Sequence, residues 1–320
     1  MSKKIYPAIS PYPGAKAGYV GEVIAEILPY KGIERYYDVF GGMANIILHK
    51  APHPEEYYND LNKKLSTLML VLSDEKLSQE LFERMLNTIP YYSQSGFDYA
   101  QFVSNHMLDP ESDFMQQYPY KRLSDDVNIV DTVEKAAAVW RTLLMSFNGS
   151  MKHFTGIREI PIKDGNEFLI RADHIKGNEI LVLEEQLQKK SVISTRMKNV
   201  NILNMDAFDL IALVKEDEKA LMVCDSPYTL KERSGQKIYE CDFDDDDQKK
   251  YINLLYDSRA KVLICGHHND IYNSILLKPN GPYKWYEYKV ANVAKTMSKS
   301  SIGQTKSRED EVIWTNWEIT

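Results

Sequence analysis

The sequence predicts an α/β protein with a mainly parallel sheet, an antiparallel edge strand and an inserted, mostly helical segment. Three observations carry this. Short apolar runs ending on glycine or an acid open the chain, helix-period stripes fill its middle, and strand-like and helix-like stretches alternate toward its end. A length of 320 residues is enough for one substantial core with a second lobe, or for two modest domains.

Residues 33–40 form an apolar and aromatic run closing on Gly41-Gly42, the pattern of a buried strand followed by a tight turn. Residues 42–50 are expected to be a helix, and residues 56–59 a second strand closing on Asp60. From Lys63 the period becomes helical. Leu65, Leu68, Met69 and Leu72 form one apolar stripe, and Leu77, Leu81, Phe82, Met85 and Leu86 form another. The clearest helix pattern covers residues 131–147, with Asp131 as its cap, Glu134 three residues on and three alanines behind them.

After Gly149, a polar stretch with Gly156, Pro161 and Gly165 predicts loops and a small hairpin, and residues 181–190 return to helix. Strands are expected at residues 200–204, 221–224, 261–265, 285–290 and 312–317, with helices at 206–214 and 246–256. The last two strands are joined by a polar loop, which places them as the antiparallel edge.

Composition narrows the function classes. Hydrophobic content of 43% and charged content of 27% are ordinary for a globular protein. No apolar run is long enough to span a membrane, and no apolar h-region follows the basic start, so neither a membrane segment nor a signal peptide is expected. Cys224, Cys241 and Cys265 are too scattered for a disulfide framework. Cys224 and Cys265 fall inside strand-like runs, as small core residues in a reducing, cytoplasmic setting do, and Cys241 has no metal-ligand spacing to His267-His268. A net charge of −7 argues against a protein that coats nucleic acid. It does not exclude an enzyme acting on nucleic acid, because the charges are segregated: residues 242–247 are acidic, whereas Lys295, Lys299, Lys306 and Arg308 lie in a segment without acids.

Five short elements have chemical uses. Asp38-Val39-Phe40-Gly41-Gly42 lies at the carboxyl end of the first strand, where glycines let a ligand approach the backbone. A plain turn satisfies the same pattern. Asp60 ends the next strand, where a carboxylate accepts hydrogen bonds from ribose hydroxyls, although Asp60 or Asn62 also suits an N-cap. Asp206 stands in the same relation to a later strand, as a ligand for an adenine amine or as a cap. Asp225-Ser226-Pro227-Tyr228 follows a buried strand. There a carboxylate and the carbonyl of residue 226 can take the two hydrogens of an aromatic amine, draw it toward tetrahedral geometry and stabilise the positive charge of attack. Tyr228 can stack on an extruded base. Tyr12-Pro13-Gly14-Ala15-Lys16 precedes a helix near Gly18, and its lysine taken alone reads as a surface residue.

Taken in order, these elements resemble the Dam-like family of DNA adenine-N6 methyltransferases over almost the whole chain, most strongly in residues 7–62 and 200–270. The resemblance implies a Rossmann-like methyltransferase sheet in a discontinuous catalytic domain, residues 1–62 and 180–320. The helical target-recognition insert would be residues 63–179. It implies S-adenosyl-L-methionine as cofactor, DNA as partner, no membrane or obligate protein partner, and no metal. Tyr12, Lys16, Asp38, Phe40, Gly41, Gly42, Asp60, Asp206 and Asp225 match donor-binding positions, and Asp225, Ser226, Pro227 and Tyr228 match the catalytic element. Residues 295–317 resemble the closing loop and last strand, and Ser146-Phe147-Asn148-Gly149 the end of the recognition lobe.

The chain departs from the family at Ser226, where proline is usual, and at Met43, where a further glycine is common. Serine keeps the main-chain carbonyl, and Pro227 still biases residue 226 toward extended backbone, but the ring that fixes φ of residue 226 is absent. Cytosine C5 methylation requires a cysteine nucleophile, typically after proline, and no Pro-Cys dipeptide exists here. Cytosine N4 methylation shares the mechanism, and Asp225 favours adenine. A weak or inactive DNA-binding protein of the same fold is the alternative that Ser226 raises. Lys121, Arg122, Asn148, Lys152 and Arg158 are candidates for phosphate or base-edge contacts, equally readable as solvated loop residues.

Overall fold

A computed structural model describes residues 6–87, 129–145, 149, 157–161, 168–172, 191–228, 243–294 and 308–319. In chain order the elements are α1 (Tyr19–Ile27), β1 (Arg35–Asp38), α2 (Asn45–His49), β2 (Glu55–Asn59), α3 (Lys63–Ser73), α4 (Glu75–Asn87) and α5 (Ile129–Met145). They continue with β3 (Ile157–Pro161), β4 (Phe168–Ala172), α6 (Val192–Met197), β5 (Val200–Leu203), α7 (Ala207–Val214) and β6 (Ala220–Cys224). Last come α8 (Asp245–Tyr256), β7 (Lys261–His267), α9 (Asp270–Leu276), β8 (Tyr286–Ala294) and β9 (Arg308–Thr315).

Two compact units emerge, one comprising Lys16–Leu61 with Met205–Thr320 and the other Lys3–Ala15 with Asn62–Asn204. In the first unit the strands run β2-β1-β6-β7-β9-β8. β1 pairs in parallel with β2 and β6, and β6 with β7, whereas β9 is antiparallel to both β7 and β8. The sheet is thus mostly parallel with an antiparallel edge, as the alternation of elements predicts. Every residue of β6 is buried, which is what a strand covered on both faces requires and why Ala-Leu-Met-Val-Cys shows no polar alternation.

The second unit packs α3, α4 and α5 together around Leu65, Leu68, Leu72, Leu81 and Trp140. Phe82 meets the Trp140 ring edge-on, and the indole N–H of Trp140 donates to the carbonyl of Ile9 at 3.2 Å. Arg84 reaches Glu134 at 2.7 Å, binding α4 to α5, and Arg141 holds the same carboxylate from within α5 at 3.2 Å. β3 and β4 form the antiparallel hairpin expected after Gly149.

Several boundaries differ from the sequence expectation for identifiable reasons. The helix after Gly42 begins only at Asn45, because Gly42 (φ 49°) and Ala44 (φ 53°) take left-handed backbone that a helix cannot include. Helix α5 starts at Ile129, so Asp131 lies inside its first turn instead of capping it. β9 stops at Thr315, two residues early, because the Asn316 side chain turns to the next strand. Its carboxamide oxygen accepts from Val262 N at 2.9 Å and its nitrogen donates to Ala260 O at 2.8 Å. α6 and α9 were not anticipated. The helix expected at 181–190, Cys241, and Lys295, Lys299 and Lys306 lie outside the described residues.

Behind the glycine turn, the Lys50 ammonium is fully buried against the carboxylate of Glu56, with His53 Nδ1 at 2.9 Å and the Tyr36 ring 3.9 Å beneath it. Removing one member of a buried ion pair strands the other charge. Glu56→Gln is therefore expected to destabilise the protein by about 3–5 kcal/mol in urea unfolding. Lys50→Met combined with Glu56→Leu should recover most of that loss. A single variant as stable as the wild type would show that Lys50 does not depend on Glu56.

Candidate active site

The carboxyl ends of β1, β2 and β6 bring the candidate residues of the first unit to one edge of the sheet. The turn after β1 is set by close packing. A side chain at Gly41 would place its Cβ 2.3 Å from the Tyr58 ring, while the Tyr58 hydroxyl donates to Gly42 O at 2.9 Å. Asp60 accepts from Gly42 N at 2.9 Å, so the acid ending β2 holds the glycine turn. The capping role open to Asp60 or Asn62 falls to Asn62, whose side chain accepts from Lys64 N at 3.0 Å.

Asn59, which sequence reasoning missed, ties this edge together. Its side chain donates to Val39 O at 3.0 Å and to Met205 O at 3.1 Å, and accepts from Met205 N at 2.8 Å. The residues after β1 and those before α7 are thereby clasped to β2. Asp206 caps α7, accepting from Phe208 N at 2.8 Å. Phe208 stacks on Phe243 with ring centres 5.3 Å apart, and Phe40 meets Phe243 edge-on at 5.8 Å, making an aromatic cluster beside the turn.

Asp225 is delivered by the buried β6 into contact with Lys16. The Lys16 ammonium donates to Asp225 Oδ1 at 2.8 Å and Oδ2 at 2.9 Å, and to the Tyr228 hydroxyl at 2.9 Å. Lys16 is 9% exposed, so it is buried in the sheet edge and is not the surface lysine that its local sequence suggests. Burial alone would lower its pKa, but Asp225, Tyr228 and Glu311 outweigh that and hold it well above the ordinary lysine value. Burial pushes the Asp225 carboxyl up, against Lys16, and Glu311 adds to the rise. Burial raises the Tyr228 phenol well above its usual range, so it remains a donor, and it donates to Glu311 Oε1 at 2.6 Å.

Ser226 and Pro227 are fixed from behind. The Gln248 side chain in α8 donates to Pro227 O at 2.7 Å and accepts from the Tyr272 hydroxyl. Ser226 Oγ is buried and interacts with the Tyr251 hydroxyl, although neither makes a well-aligned hydrogen bond. Gln248 supplies some of the restraint that a proline ring at 226 would provide, and nothing in the local sequence signals it.

Asp38 is buried, and no hydrogen bond reaches its carboxyl among the described residues. Burial first, then the nearby Asp225 and Asp60, push it up to about 8, with Lys50 opposing. Tyr12 belongs to the second unit, where its carbonyl accepts from Ala15 N at 3.1 Å. Gly149 takes left-handed backbone in the same unit, and an added Cβ there would lie 1.9 Å from Pro11 O. Lys121, Arg122, Asn148 and Lys152 lie outside the described residues, and for Arg158 only its backbone in β3 is described.

The fold is thus that of the α/β class with a mostly parallel sheet, in which ligands are typically met at the carboxyl ends of the parallel strands. Residues 12–293 match the family of D12 class N6 adenine-specific DNA methyltransferases, and the chain belongs to that family. Its activity is methylation of the adenine N6 amine in DNA. A search of curated proteins returns no match. Among the described residues no helix is long and apolar enough to cross a membrane.

Asp38 provides a test of the edge electrostatics. Its folded pKa of about 8 lies above the ordinary 3.8, so the fold favours the neutral acid. That contribution is complete below pH 3.8 and is lost as pH rises through about 8. In the ligand-free protein, Asp38→Asn is expected to gain thermal stability relative to wild type between about pH 5 and about pH 9. A gap that does not widen with pH would refute the assignment.

Proposed function

We propose that the methyl donor is S-adenosyl-L-methionine, held at the carboxyl ends of β1 and β2 and beside α7, and that Asp225-Ser226-Pro227-Tyr228 receives the target adenine. The observation that carries the donor assignment is Asp38, a buried acid with no hydrogen-bond partner among the described residues, beside two further carboxylates. Such an edge favours a cationic, hydroxyl-bearing ligand. A sulfonium nucleoside has that chemistry, and the Phe40, Phe208 and Phe243 cluster offers an apolar wall for its base. Asp60 and Asp206 supply acceptors for ribose and adenine, Gly41 and Gly42 let the backbone approach, and Lys16 completes the donor-side set of the first unit.

S-adenosyl-L-methionine, when bound, supplies an electrophilic methyl group. The work of this chain is to prepare the nucleophile. The target adenine leaves the duplex, which costs a few kcal/mol, and stacks on Tyr228. The Asp225 carboxylate accepts one N6 hydrogen and the carbonyl of Ser226 the other. Together they localise the lone pair and stabilise the positive charge on nitrogen as it attacks. The lone pair forms the N–C bond, the S–C pair leaves with sulfur, and the nitrogen releases a proton to water. The second unit, interrupting the first between Leu61 and Met205, carries target recognition, with Lys121, Arg122, Asn148, Lys152 and Arg158 as its candidate contacts.

Asp225→Ala is expected to abolish methyl transfer, a loss of at least about 100-fold, while DNA binding persists. Long-read sequencing of DNA from cells expressing either form would show N6-methyladenine in a fixed context for the wild type alone. Methylation at wild-type level by the variant would overturn the role of Asp225. DNA binding without methylation by the unmutated chain would show that Ser226 has silenced it.

A further inference from the structure

We infer that Glu311, a residue of the antiparallel edge strand, is a positioning residue for methyl transfer that accepts the Lys16 ammonium when Asp225 turns to the target amine. The inference rests on the catalytic role proposed for Asp225. It arises from a count of donors and acceptors around Lys16.

An ammonium has three N–H donors. Lys16 Nζ faces oxygens that include Asp225 Oδ1 at 2.8 Å, Asp225 Oδ2 at 2.9 Å, the Tyr228 hydroxyl at 2.9 Å and Glu311 Oε1 at 3.3 Å. In this arrangement both Asp225 oxygens face the lysine, each with a second lone pair still available. Turning one Asp225 oxygen toward an N6 hydrogen lengthens its bond to Lys16. A buried ammonium left short of an acceptor is strongly unfavourable. Glu311 removes that obstacle. Its oxygen is already within ion-pair distance and at the long end of hydrogen-bond distance, so a shift of a few tenths of an ångström makes it a full partner.

Glu311 is placed for this by the sheet. It lies opposite His267 in the β7–β9 register and is 4% exposed. His267 Nδ1 stands 3.7 Å from its second oxygen and 3.2 Å from Asp310 O, and the His267 ring meets Tyr228 edge-on. The Tyr228 hydroxyl donates to the same Glu311 oxygen that faces Lys16, so Glu311 also fixes the ring proposed to stack on the base. Two carboxylates therefore share one buried ammonium.

Glu311→Gln keeps the shape and the acceptor oxygen and removes the charge. In single-turnover methylation of duplex DNA by the purified protein, we expect its rate constant to fall by about 10- to 100-fold. KM for DNA and for the methyl donor should stay within about three-fold, because Glu311 touches neither, and the thermal midpoint should hold because Lys16 retains Asp225. A purely structural role would move the midpoint and both KM values together. An unchanged rate constant in Glu311→Gln, with Asp225→Ala inactive, overturns the role of Glu311 alone. Full activity in Asp225→Ala overturns instead the reading beneath it. Should Glu311→Gln fail to fold, Glu311→Asp keeps the charge but draws the carboxylate back from Lys16. A slower single turnover at unchanged DNA affinity would then support the inference, and an unaltered rate would overturn it.

Discussion

The architecture of this enzyme converges on one buried ammonium. Lys16 lies before the first helix, Asp225 and Tyr228 follow a central parallel strand, and Glu311 sits on the antiparallel edge, with 209 residues separating Lys16 from Asp225 in sequence. A lysine so buried is tolerable only where carboxylates neutralise it and oxygens take its three donors. β1, β6, β7 and β9 must therefore be in register for the site to exist. The antiparallel strand, which in a purely architectural view only closes the sheet, delivers a necessary counter-charge.

The second constraint is the use of polar side chains to hold backbone. Asn59 fastens the segments after β1 and before α7, Asp60 fastens Gly42, and Gln248 fastens Pro227. Each leaves a carbonyl or amide with one available orientation. Parallel sheets place their ligand edge in loops, which are intrinsically the more mobile parts of a fold. Here the loops at that edge are stapled to the strands by side chains that are themselves buried or half-buried. Gly41 belongs to the same scheme, since the Tyr58 ring occupies the space a side chain would need.

Much of this was legible in the sequence, and what was not has a physical pattern. Period and glycine placement located most strands and helices, because β6 is apolar throughout and α3 and α4 carry an apolar stripe. The ordered motifs identified the family, whose match spans residues 12–293. Boundaries were missed where a side chain or a left-handed residue decides them, as at Ala44 and Asn316. Glu311 was hidden because Arg-Glu-Asp-Glu reads as a solvated charge run, and only strand register turns one of its acids inward. Lys16 resembled a surface lysine for the same reason, its partners being distant in sequence. Asn59 and Gln248 carry no signal at all, since an amide that clasps backbone has no spacing rule.

Ser226 shows how these constraints combine. A proline at that position would rigidify the catalytic turn through its own ring, a local device. In this chain the turn is held instead by Pro227, by Gln248 on its carbonyl, and by Tyr272 on Gln248. The serine hydroxyl is buried beside Tyr251 without a well-aligned bond, so the substitution places an imperfectly satisfied polar group in the core. Such a group weakens the fold locally, yet it leaves unaltered the main-chain carbonyl of residue 226, the atom proposed to accept an amine hydrogen. Rigidity of the turn proposed as catalytic thus rests on a hydrogen-bonded chain across two helices in place of one residue's covalent geometry, and the turn is as firm as that chain.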